Sequence, residues 1–71
     1  MLVLRYQAED YIIVKTIQFE EVKTQTIVNG KVTLTETRGY KRLGYKTEEE
    51  LVEYLVSQGY EIITNKKEVE E

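Results

Sequence analysis

The sequence predicts an α+β domain: an antiparallel sheet of four or five strands, in the order β-β-β-β-α-β, with one helix packed on one face. Three observations predict it. Short β-branched and aromatic runs fill the first 38 positions, the pair Asn29-Gly30 sits between two of them, and a single amphipathic helical pattern follows Thr47. The sheet is either open or curled into a barrel-like shape.

Leu2 to Gln7 alternates Leu2, Leu4 and Tyr6 against Val3, Arg5 and Gln7, the period-two pattern of a strand. Ala8-Glu9-Asp10 is a polar break of hairpin length. Tyr11 to Phe19 resumes with Tyr11, Ile12, Ile13, Val14, Ile17 and Phe19, and Val22 to Val28 continues with Val22, Thr24, Thr26 and Val28 on one parity. The 18 residues from Tyr11 to Val28 contain no Gly or Pro. Extended at ~3.3 Å per residue they would span about 59 Å, against ~25 Å for a domain of this size. The segment must therefore bend near Glu20-Glu21, turn there, or project as an arm.

Asn29-Gly30 is the strongest local signal, because both central residues of a type I′ turn need positive φ, which Asn and Gly tolerate best. Lys31 to Arg38 then forms the second half of that hairpin. For the helix, Thr47 is the N-cap, Glu50 completes a capping box, and Glu48, Glu49 and Glu50 lie where the helix dipole favours negative charge. Leu51, Val52, Leu55 and Val56 make the buried stripe. Gly59 supplies the left-handed terminating residue, with Tyr60 folding back on the last turn. Glu61-Ile62-Ile63-Thr64 is a final short strand. The expected division is a single domain over 1–64 and a charged, frayed tail over 65–71.

The chain has 71 residues, which is one domain and a thin core. It has no cysteine and no histidine, which removes disulfides, thiolate chemistry, the usual general base and the commonest metal-binding nitrogen. Adjacent carboxylates such as Glu9-Asp10 and Glu20-Glu21 point to opposite faces of a strand and do not converge as acid–base catalysis requires. No spacing suits a hard-cation loop. The expectation is a non-enzymatic protein with no cofactor, no metal and no small-molecule substrate. The apolar start Met1-Leu2-Val3-Leu4 is broken by Arg5 and is too short for a membrane span, so a cytoplasmic protein with no membrane partner is expected.

Two candidate surfaces remain. The first two strands are apolar on both faces, and one helix can cover only one. Val3, Ile12 and Val14 are then the candidate dimer face of an interaction module that associates with a second copy or with another protein. The second surface is Arg38-Gly39-Tyr40-Lys41-Arg42-Leu43-Gly44-Tyr45-Lys46, which holds four cations and no acid in a chain of net charge -3. Arg38, Lys41, Arg42 and Lys46 could neutralise the phosphates of a nucleic acid while Tyr40 or Tyr45 stacks on a base. That platform needs the strand to continue through Arg42. Against it, the rest of the chain carries -3 minus +4, or -7, and the isoelectric point is about 5.0, whereas nucleic-acid binders are normally basic. The alternative, in which the tyrosines cap the core edge and the cations solvate a loop, therefore carries more weight.

Overall fold

The hairpin between the second and third strands turns at Phe19-Glu20, where φ is 53° and 64°. The computed structural model describes residues 1–65 and contains β1 (Leu2–Gln7), β2 (Ile12–Gln18), β3 (Glu21–Val28), β4 (Lys31–Gly39), α1 (Glu48–Ser57) and β5 (Glu61–Asn65). The turn pairs Gln18 with Glu21, so the two-residue loop has the positive-φ pattern of type I′. Neither Phe nor Glu favours that region, so local preference does not set this turn. Long-range contacts do. Pairing Ile17 with Val22 puts both in the core, and Glu20 is held twice from the β4 end. Its carbonyl accepts from the Tyr40 N–H at 3.0 Å, and its carboxylate meets Lys41 Nζ at 3.1 Å. The segment thus turns at Glu20 as one of the three expected outcomes, one residue ahead of the expected place.

The five strands lie in the order β4-β3-β2-β1-β5, with every neighbouring pair antiparallel. It is an open sheet with β4 and β5 as its edges, not a barrel. The alternation of directions leaves β4 and β5 parallel at opposite edges, so their connection must cross a whole face. Helix α1 makes that crossing and covers part of the face as it goes. Asn29 and Gly30, at φ 55° and 79°, close the β3–β4 hairpin as expected. Two irregularities tune the edges. One lies between Thr26 and Ile27 opposite β4, where the Thr33 hydroxyl donates to the Thr26 carbonyl at 3.2 Å. The other lies between Val3 and Leu4 opposite β5, so Ile63 is the unpaired extra residue there.

The helix starts as expected: the Glu50 N–H donates to Thr47 Oγ1 at 3.2 Å. The reciprocal half of the box is displaced by one residue, since the Glu50 carboxylate accepts from the Lys46 N–H at 3.0 Å. At the other end Gly59 has φ +104°, its N–H donates to the Val56 carbonyl, and the Tyr60 N–H donates to the Leu55 carbonyl, each at 3.0 Å. These are the two bonds of a Schellman motif. The buried seam is narrower than the sequence pattern implies. Leu51 and Leu55 are buried and Val52 is partly so, but Val56 is 47% exposed. A helix lying on a sheet needs only its i, i+4 ridge inside, and Val56 falls on the flank.

Leu2, Leu4, Ile17, Val22, Tyr40, Leu51 and Leu55 form the core. It is small and off centre, lying where the Leu2, Ile17 and Val22 positions of three strands meet the helix. Every residue of β4 except Gly39 is exposed, so the tip of the β3–β4 hairpin reaches past the cover that α1 provides. β5 extends to Asn65, one residue beyond the expected final strand. Of the tail expected over 65–71, Asn65 thus belongs to β5, and the frayed character expected of 66–71 lies outside the described residues.

Candidate functional site

Register decides which side chains share a face, because directly paired residues of an antiparallel sheet project to the same side. On the face away from α1, Val3 pairs with Thr16, Arg5 with Val14 and Gln7 with Ile12. Ile12 in turn pairs with Ile27, and Ile27 with Val32. Val3 is diagonal to Val14, so Val3, Val14, Ile12, Ile27 and Val32 form one continuous oblique band across four strands. The first four are half-buried and Val32 is exposed. Thr16, Lys23, Gln25 and Thr35 flank it on one side, and Arg5 and Gln7 on the other. No element covers this face among the described residues. Val3, Ile12 and Val14, the candidates read from sequence, are therefore brought together. Ile27 and Val32 were missed: Ile27 faces outward because the turn at Phe19-Glu20, which no local signal marks, pairs it with Ile12, and the β3–β4 bulge changes which parity of β4 reaches the outer face.

The basic segment is dispersed rather than assembled. β4 ends at Gly39 and a run of turns begins at Tyr40, in which the Leu43 N–H donates to the Tyr40 carbonyl and the Gly44 N–H to the Lys41 carbonyl, each at 3.1 Å. The expected strand alternation of Arg38, Tyr40 and Arg42 does not exist. Tyr40 is only 8% exposed and belongs to the core, which corrects its reading as a stacking surface: the chain needs a large apolar group there to close the end of the core that β4 and α1 leave open. Lys41 faces Glu20 at 3.1 Å, and Arg38 lies 3.9 Å from Glu36. Both are solvent-exposed pairs that add little stability, but they offset local charge. Arg42 and Lys46 are exposed. Tyr45 is turned inward and stands 5.9 Å from Tyr54, ring to ring.

The helix face of the sheet carries a feature the sequence did not signal as a site. Beside α1, over β2 to β4, lies an open groove of about 610 Å³. Ile13, Lys15 and Thr24 make part of its floor, and Tyr54 and Tyr45 rise on the helix side. Tyr6 and Tyr60, with ring centroids 5.4 Å apart, also line it. Lys15 Nζ donates to Thr24 Oγ1 at 2.9 Å and stands 5.9 Å from the Tyr60 ring centre. Burial holds the Lys15 ammonium below the usual lysine pKa, with the Glu36 charge opposing that shift. Burial, then Tyr11, Tyr6 and Tyr54, raises the Tyr60 phenol above its ordinary value. A clue was present in the sequence: Lys15 is the lone cation inside the apolar run from Tyr11 to Ile17.

Among the described residues no group of three or more Asp or Glu side chains is arranged to hold a metal. No helix of the described residues is long and apolar enough to cross a membrane. Comparison with protein-family models, with curated proteins and with solved structures finds no match.

Proposed function

We propose that this chain is a cytoplasmic, non-enzymatic interaction module that pairs with a second copy of itself through the sheet face opposite α1. The observation that carries this reading is the oblique band Val3–Val14–Ile12–Ile27–Val32, which no element of the described chain covers. The size of the face supports it. Five strands at about 4.8 Å spacing, roughly seven residues long, give a face of about 24 by 23 Å. Two such faces in contact would bury roughly 1,100 Å² in total, just past the ~1,000 Å² that a specific interface needs. The thin core supports it as well: seven buried apolar side chains leave a domain of this length marginal, and a second copy adds apolar burial at no cost in sequence. A twofold axis across the band would match it to itself, with Thr and Gln side chains at the rim.

Contact with nucleic acid through Arg38, Lys41, Arg42 and Lys46 is the weaker reading, because Arg38 and Lys41 already face carboxylates and Tyr40 is inside the core.

Light scattering on the purified chain tests the pairing. The expected mass is that of two chains, and Val14→Lys, at the middle of the band, should return it to one chain with the circular dichroism spectrum unchanged. A single-chain mass for the unmodified protein across the micromolar range, or a dimer that survives Val14→Lys, overturns the reading.

A further inference from the structure

An α-helix is about 10 Å across, so α1 cannot cover a face more than twice that width, and the strip over β2 to β4 stays open as the groove. Its contents are specific. Lys15 projects from the middle of the floor and is half-buried. Among the described residues no carboxylate lies within ion-pair distance of it, and its one hydrogen-bond partner is the neutral Thr24 hydroxyl. Arg38 and Glu36, two residues apart on β4 and on the same face, also line the groove and lie 3.9 Å from each other, so their charges offset and Lys15 is left as the cation of the floor. An ammonium taken partly out of water is costly when the nearest acid, Glu36, acts on it only from beyond ion-pair distance, and an arriving anion in direct contact would relieve that cost. Above the floor, Tyr54 is about half exposed and leans toward Tyr45, which offers aromatic surface to a planar ring. The volume lies within the range of small-molecule sites.

We propose that the groove between α1 and β2–β4 is a binding site for a small planar aromatic anion, with its ring against Tyr54 and Tyr45 and its anionic group at Lys15. This revises the expectation, drawn from composition, that no small molecule is recognised. The site lies on the opposite side of the sheet from the Val14 band, so the two can be occupied independently. Because Lys15 must be protonated to hold the anion, and its pKa is already held down by burial, affinity falls as pH rises through the Lys15 value, and the bound anion raises that value.

The shared chemistry can come from a nucleoside phosphate or an aryl carboxylate. An NMR titration of the isotope-labelled full chain with adenosine monophosphate and, separately, indole-3-acetate distinguishes them, with adenosine and ribose 5-phosphate as probes of ring and anion alone. The expected result is saturable shifts at Lys15, Tyr45 and Tyr54 with one or both ring-bearing anions. Each half-probe should bind roughly tenfold more weakly, as should Lys15→Met and Tyr54→Leu. Lys15→Gln repeats the test with a polar side chain if Lys15→Met loses the dispersed spectrum. Absence of saturable shifts with both anions, shifts confined to other residues, or affinity unchanged in the folded Lys15 variants overturns the proposal. So does movement of the same resonances on diluting the free protein, which would place a second copy in the groove.

Discussion

The ring of Tyr6 lies directly against the backbone of Gly59: a Cβ at position 59 would stand 3.2 Å from Tyr6 Cε1 and 3.4 Å from Cδ1. Gly59 ends α1 and Tyr6 ends the buried parity of β1, so this contact couples the stop of the helix to the sheet. Gly59→Ala therefore meets two penalties, the left-handed φ of +104° and the displaced ring. The backbone term alone is about 1–2 kcal/mol. Gly30 shares a positive φ but has nothing within 4 Å, so Gly30→Ala should cost less. Urea unfolding of both variants checks this ordering, and equal losses would show that the Tyr6 contact yields freely.

Leu55 and Val56 are neighbours on α1 with opposite fates. Leu55→Ala should lower stability by about 2–5 kcal/mol, because the side chain is buried at the centre of the core. Val56→Ala should change it by less than about 0.5 kcal/mol. Thermal or urea melts distinguish them, and a large effect at Val56 would mean that a partner covers that flank.

Phe19 is 82% exposed at φ 53°, so it contributes little burial and occupies a region that suits Asn far better. Phe19→Asn should raise stability by about 1 kcal/mol by relieving the turn. A loss of stability instead would show that the ring makes contacts in solution, as it would at an interface.

The alkaline limb of the stability curve should carry two opposed slopes. Tyr60 keeps its phenolic proton longer in the folded chain than unfolded, because burial raises its pKa above 10.0. Above about that pH the unfolded state binds fewer protons, and stability falls as pH rises. Lys15 behaves inversely: its folded pKa lies below 10.5, so in the window just below 10.5 the unfolded state binds more protons and stability rises with pH. Tyr60→Phe should flatten the fall, and Lys15→Met should remove the rise. Urea midpoints measured across that pH range read both, and a fall that persists unchanged in Tyr60→Phe would assign it to other groups.

The candidate surfaces were legible only where they depended on parity within one strand or one hairpin. Val3, Ile12 and Val14 could be placed on one face because β1 and β2 are short, regular and joined by a short break. Ile27 could not, since the turn at Phe19-Glu20 that sets it opposite Ile12 has no local signal, and Val32 could not, since a bulge shifts the register of β4 by one residue. Tyr40 and Tyr45 look alike in sequence, each following a glycine and preceding a lysine, yet one is sealed in the core and the other lines a groove. What separates them is the run of turns after Gly39, whose bonds answer to Glu20 on a different hairpin.

The chain alone determined its elements, because their signals act over a few residues: Asn29-Gly30 accepts positive φ, Thr47 caps the helix, Gly59 ends it, and alternating apolar residues mark the strands. It determined the absence of thiol and imidazole chemistry for the same reason, since composition needs no fold. The tertiary structure decided the turn at Phe19-Glu20, the placing of β5 beside β1, the burial of Tyr40 and the open groove over Lys15. Each of these rests on contacts between residues far apart in sequence, where burial and register outweigh the local preference of any single residue.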